Sequence, residues 1–218
     1  VKKRYFYFIG AATIIGLIFY LKSKGQNGGQ NKNNNILFIG DSLTDIEYKG
    51  RPTGTYPLII KKDRPDLFID VNAEEGKTTA WMLSNLPKYL NKQYNKVFIY
   101  GGVNDAFNPS IKLETAVSNI QKMVNLAIAN GAKAYVITGY EPNGFMDYRK
   151  MPVTYYVRSK TAYIPLIERY KQLQSLIKSR IKNATIIPKF NLQGLTNDGT
   201  HTTGIGQRKI AETIKNYL

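Results

Sequence analysis

Five short runs of largely consecutive apolar residues set the strongest limit on how this chain can fold. They are Ile36–Ile39, Leu67–Val71, Val97–Tyr100, Ala134–Thr138 and Ala184–Ile187, each bounded by turn-forming residues. Runs without polar alternation suit strands that are covered on both faces. Helical patterns lie between them. The clearest places Leu113, Ala116, Val117, Ile120, Met123, Val124 and Ala127 at three- and four-residue spacing and stops at Asn130-Gly131. Residues 78–92 form a weaker pattern with a kink expected at Pro87, residues 162–182 form another, and Ile210, Ala211, Ile214 and Leu218 mark the last. Strand and helix alternate five times, so the sheet should be parallel with helices on both faces. In such folds the site lies beyond the carboxyl ends of the strands.

The start of the chain is different in kind. Tyr5–Leu21 carries no charge. As a helix it would span about 26 Å, near the lower limit for a bilayer core. Tyr5, Tyr7 and Tyr20 sit near its ends, where aromatic rings favour the membrane interface. A cleaved signal peptide and a buried core helix are the alternatives. The segment that follows, KSKGQN, holds no small-residue cleavage pattern and no lipid-bearing cysteine. We therefore expect an uncleaved transmembrane anchor over 1–22. Lys2, Lys3 and Arg4 favour a cytoplasmic N-terminus, against the weaker opposing pull of Lys22 and Lys24. Everything after the anchor then faces outward. Residues 23–35 are Gly, Asn, Gln, Ser and Lys and read as a flexible linker. The folded domain is expected over 36–218.

Composition excludes several chemistries. The 218 residues include no cysteine, which removes disulfides, thiol catalysis and Cys-ligated zinc. A single histidine rules out a His-rich metal site. The formal net charge is +16; no acidic residue precedes Asp41, and the first 40 residues carry +6 of that charge. The remaining +10 favours anionic partners. No Arg-rich stripe or nucleic-acid motif is present, so nucleic acid is not an expected partner.

The strand ends carry the chemistry. The first strand runs into Gly40-Asp41-Ser42-Leu43-Thr44-Asp45, and the third into Gly101-Gly102-Val103-Asn104-Asp105. The second is followed by Asn72-Ala73-Glu74-Glu75-Gly76, and the fifth by Asn197-Asp198-Gly199-Thr200-His201. Each piece alone reads as a turn or a helix cap. Together they bring a hydroxyl nucleophile, an imidazole base, a carboxylate to orient it and oxyanion donors to one edge.

These four blocks resemble the SGNH hydrolases of the GDSL esterase/lipase superfamily. Ile39 to Thr44 is similar to the block around the nucleophile, and Val71 to Thr78 to the glycine block. Gly102 to Asp105 matches Gly-x-Asn-Asp, and Asp198 to His201 matches Asp-x-x-His. Thr202 stands where many relatives have proline. The resemblance spans roughly residues 35–218 and implies a flavodoxin-like three-layer αβα sandwich with a five-stranded parallel sheet. It further implies Ser42 as nucleophile, His201 as general base and acid, and Asp198 as the group that orients the imidazole. The implied oxyanion hole is the Ser42 N–H, the Gly76 N–H and the Asn104 side-chain amide. No metal or organic cofactor is implied. Asp41 and Asp105 are expected to bond turn N–H groups.

The substrate is less legible. Residues 140–161 form a long connection carrying Tyr140, Phe145, Tyr148, Tyr155 and Tyr156 with Arg149, Lys150, Arg158 and Lys160. Such a loop is either a surface connection or a binding loop whose rings stack on sugars. The outward orientation, the tether and the basic surface favour an esterase removing acetyl or other short acyl groups from a cell-envelope polysaccharide. Two alternatives stand beside it. One is a lipid esterase or lysophospholipase working at its own bilayer. The other is a non-catalytic tethered component of a larger membrane assembly, such as a virion, which the complete set of catalytic residue types argues against.

Overall fold

The computed structural model describes residues 34–47, 54–140, 153–192, 195–196 and 201–218. The expected anchor over 1–22, most of the linker and Asp198 lie outside the described residues. Among the described residues no helix is long and apolar enough to cross a membrane.

The five apolar runs form five strands: β1 (Asn35–Gly40), β2 (Phe68–Ala73), β3 (Lys96–Tyr100), β4 (Lys133–Ile137) and β5 (Thr185–Ile187). They make one sheet in the order β2-β1-β3-β4-β5, and every neighbouring pair is parallel. This is the flavodoxin-like strand order, whose reversal of direction between β1 and β3 opens a crevice at the carboxyl edge. The register puts Phe38 beside Phe98 and Phe98 beside Tyr135. Their rings stack at centroid separations of 4.9 and 4.6 Å, an aromatic ladder across three strands.

Among the described residues six helices accompany the sheet: α1 (Tyr56–Asp63), α2 (Thr79–Tyr89), α3 (Val103–Phe107), α4 (Leu113–Ala129), α5 (Val153–Arg180) and α6 (Gly204–Lys215). α1 packs against α6, while α2 and α5 pack against α4. Tyr56 of α1 meets Phe38 edge-on, which puts α1 and α6 on the aromatic face of the sheet. α4 buries the residues its periodicity marked, from Leu113 to Ala127. It ends where Asn130 caps it and Gly131 turns the chain at a φ of +84°.

Three elements depart from expectation. α1 was not anticipated, because eight residues are too few to display a helical period. Its apolar residues Tyr56, Ile59 and Ile60 are nonetheless fully or nearly buried. α3 has only five residues and is set by Asn104-Asp105 chemistry rather than by pattern. α5 starts nine residues earlier than the expected 162, so part of the long connection is helical and Pro165 lies inside the helix. The rest of that connection, 141–152, lies outside the described residues.

Candidate active site

The carboxyl ends of β1, β2 and β3 converge, and the loop into α6 joins them. Gly40 ends β1 because nothing larger fits: a Cβ there would lie 2.3 Å from the Thr44 hydroxyl and 2.8 Å from the Tyr100 carbonyl. The chain then turns tightly. The Thr44 and Asp45 N–H groups both donate to the Asp41 carbonyl at 2.9 Å, and the Leu43 N–H donates to Asp41 Oδ1 at 3.0 Å. Ser42 is carried on this turn, 5% exposed. Its Oγ lies 3.1 Å from His201 Nε2, across 159 residues of sequence. This is hydrogen-bond distance for a hydroxyl and an imidazole that share a proton.

The other expected participants gather beside it. Asn104, near the start of α3, donates its amide to the carbonyl of Lys77 at 2.9 Å. That bond holds the amide against the loop that contains Gly76 and leaves its second N–H for another acceptor. Gly76 is exposed at the turn after β2 with a φ of +72°, a backbone region that side chains rarely adopt. The structure thus brings Ser42, His201, Asn104 and the Gly76 loop to one edge. Asp198 lies outside the described residues.

Asp41 and Asp105 take structural positions, as expected. Asp41 is fully buried and caps its own turn. Asp105 is 1% exposed and accepts the Thr79 N–H at 2.9 Å and the Thr79 hydroxyl at 2.6 Å. Burial pushes the Asp105 carboxyl above the usual carboxylate range, and the two Thr79 bonds pull against that rise. Beneath the site, burial also keeps the Tyr100 and Tyr170 phenols protonated, with the Asp41 charge acting in the same direction.

Sequence reasoning gave two residues here no role. Asp45, 8% exposed, accepts the Glu47 N–H at 2.9 Å and the Glu75 N–H at 3.2 Å. It thereby ties the serine turn to the loop that carries Gly76. Gln207, fully buried in α6, donates to the Thr202 hydroxyl and accepts the Tyr56 N–H at 2.7 Å. The Tyr56 hydroxyl in turn lies 3.1 Å from the Thr44 hydroxyl. A buried polar chain therefore connects the residue after His201 to the residue two beyond Ser42. Thr202 is the link at one end. No local pattern marks Gln207, since its principal partner is 151 residues away.

At this edge the exposed large apolar residues among those described are Ile46 and Ile205, beside Ser42 and His201 in sequence. Among the described residues no cluster of ligating side chains could hold a metal ion. The arrangement suits attack by a hydroxyl on an acyl carbon, with N–H donors ready for the developing oxyanion.

The GDSL-like lipase/acylhydrolase family model matches residues 38–209. Among solved structures the chain is similar to a protein assigned to the G-D-S-L lipolytic family from Desulfitobacterium hafniense DCB-2. That likeness has a TM-score of 0.63 at 18% identity and covers 85% of this chain and 100% of that one. It is also similar to TesA, with a TM-score of 0.58 at 21% identity over 85% of this chain and 98% of that one. Axe2, an acetylxylan esterase from Geobacillus stearothermophilus, gives 0.58 at 16% identity over 84% of this chain and 93% of that one. None of the curated proteins compared with the chain matches it.

Proposed function

The chain belongs to the GDSL-like lipase/acylhydrolase family and is a serine ester hydrolase, and on that premise we propose that it removes short acyl groups, acetyl foremost, from a cell-envelope polysaccharide. The observation that carries the reading is the 3.1 Å separation of Ser42 Oγ and His201 Nε2. Ser42 Oγ attacks the ester carbonyl while its proton passes to His201 Nε2. The oxyanion that forms is received by the Ser42 and Gly76 N–H groups and by the second N–H of the Asn104 amide. As the tetrahedral species collapses, the C–O bond to the sugar breaks and His201 returns the proton to the leaving alkoxide. Water then enters, gives a proton to His201 and attacks the acyl-enzyme, which releases the acid and restores Ser42. Asp198 is assigned the Nδ1–H of His201, fixing its tautomer.

The short acyl group is supported by the likeness to Axe2. Residues 1–22 are proposed to anchor the protein in a membrane with the N-terminus cytoplasmic. Residues 23–34 then form the tether, and the domain, whose first strand begins one residue earlier than expected at Asn35, works outside. The test is kcat/KM on the full chain across esters from acetyl to dodecanoyl, alongside acetate release from acetylated envelope polysaccharide. The expected optimum is acetyl or propionyl. A steady rise toward dodecanoyl, with each added CH₂ gaining ~0.8 kcal/mol, would reject it in favour of a lipid substrate.

A further inference from the structure

In an all-parallel sheet every strand starts at one edge, and the helices that return the chain end there. The Ser42 edge is the opposite one. Among the described residues the basic charge collects at the amino edge. Lys61 and Lys62 occupy the last turn of α1, and Arg64 follows them. Lys92 precedes β3, while Lys96 and Lys133 are the first residues of β3 and β4. Lys96 lies close enough to Lys133 and Arg64 for their charges, after burial itself, to push its pKa down. The acidic residues on this face are already engaged: Asp63 by Arg208 and Lys215, Asp66 by Arg64, and Asp70 by Lys92. Lys62 and Lys133 are exposed and have no acidic partner among the described residues. The carboxyl edge mixes the two signs: among the described residues it carries Asp45, Glu47, Glu74, Glu75 and Glu114 together with Lys77, Lys112, Arg169 and Lys189.

The chain enters the domain at that same basic edge, through Asn34 into β1. Only the thirteen residues 22–34 separate Leu21 from the strand. We propose that the amino edge, centred on Lys62, Lys96 and Lys133, is a docking face for the anionic headgroups of the bilayer that holds the chain. This rests on the reading of residues 1–22 as a membrane anchor. A short tether keeps the face at high effective concentration over the lipid, so contacts that would be weak between separate molecules suffice to orient the domain. Docked this way, the Ser42 edge points away from the bilayer toward material outside it. This deepens the glycan reading, since the protein's own lipids would then lie at the wrong end of the sheet.

The test uses the full chain in vesicles of phosphatidylcholine alone or of phosphatidylcholine with phosphatidylglycerol. Lysine acylation by an amine-reactive reagent is mapped by mass spectrometry. Lys62 and Lys133 should label several-fold more slowly in the anionic vesicles, and exposed Lys112 at the carboxyl edge should label equally in both. The protection should vanish in 1 M salt, where screening falls to about 3 Å, and in the Lys62→Glu/Lys133→Glu variant. Co-flotation with both vesicle types but equal labelling of Lys62 and Lys133 overturns the docking face and leaves the anchor intact. Failure to float with either overturns both. Equal protection by a soluble anionic polysaccharide without lipid also overturns the proposal and assigns the face to polymer.

Discussion

The Tyr56 N–H donates to the side-chain carbonyl of Gln207 at 2.7 Å, at a place where both residues are fully buried. α1 and α6 are joined there by a polar contact inside an apolar layer. Its ends reach Thr202, next to His201, and Thr44, two residues from Ser42. Gln207 is a positioning residue in this arrangement. Gln207→Leu leaves the Tyr56 N–H buried without a partner, a loss of about 1–3 kcal/mol in urea unfolding. Its effect on activity should be larger than the fraction unfolded explains. A displacement of His201 by a fraction of an ångström should lower kcat about 10- to 100-fold at nearly constant KM. Gln207→Glu keeps an acceptor for Tyr56 and should recover part of kcat. A fall in kcat that only tracks stability would leave Gln207 a packing residue.

The direct participants make a sharper contrast. Ser42→Ala removes the proposed nucleophile and should lower turnover by several orders of magnitude while thermal unfolding stays where it was. Asn104→Ala removes the amide proposed as an oxyanion donor and should cost about 10²- to 10³-fold in kcat, equivalent to ~2.7–4 kcal/mol. Because Asn104 also holds the Lys77 carbonyl, part of that loss will come from a looser Gly76 loop. Asn104→Asp keeps the size and lacks the donor, so it should be as impaired as the alanine variant. Near-normal kcat in Asn104→Asp would remove the amide from the oxyanion hole.

Asp45 tests whether the serine turn and the Gly76 loop work as one piece. Its carboxylate is the bridge between them, through Glu47 and Glu75. Asp45→Ala should lower kcat roughly 10-fold, the scale expected when a supported oxyanion donor drifts. Asp45→Asn retains a carbonyl for one of the two N–H groups and should fall between. Pre-steady-state acylation would separate the steps: the loss should appear in acyl-enzyme formation, where the oxyanion first develops.

Much of the architecture is legible in the residues because its causes are local. Val97–Tyr100 reads as a doubly covered strand, and α4 reads from Leu113 to Ala127, since burial on one face imposes a period of three to four. Ser42, Gly76, Asn104 and His201 are legible for a different reason: each sits at a strand end or just before a helix, where parallel topology collects functional groups. What is not legible depends on contacts between distant segments. Nothing in the eight residues of α1 announces that Tyr56 will meet Gln207. Nothing around Asp45 announces Glu75. The charge is instructive in the same way. Its total is visible in the composition, but that Lys61, Lys62, Lys96 and Lys133 share one edge follows only once every strand is known to run in one direction.

Asp105 offers a test in which pH supplies the control. Its buried carboxyl sits above the usual range in the folded state, so it holds a proton more tightly than in the unfolded chain. Such a group contributes stability that is full below the unfolded value near 3.9 and is lost as pH rises through the folded value. The Thr79 hydroxyl limits that loss by donating to Asp105 Oδ1. Thr79→Val removes the donor and raises the carboxyl further, so the variant suffers most where the carboxylate must be charged. Urea unfolding at pH 7 should show a loss of about 1.5–3 kcal/mol, the range for a hydrogen bond to a charged group. The difference between the two proteins should shrink as pH falls toward four. Asp63, Asp66 and Asp70 sit below their usual range and lose their own contribution in acid, but they do so equally in both proteins and cancel from the difference. A Thr79→Val penalty that is the same at pH 7 and near pH 4 would assign the loss to the hydrogen bond that Asn119 donates to the Thr79 hydroxyl instead of to the Asp105 charge.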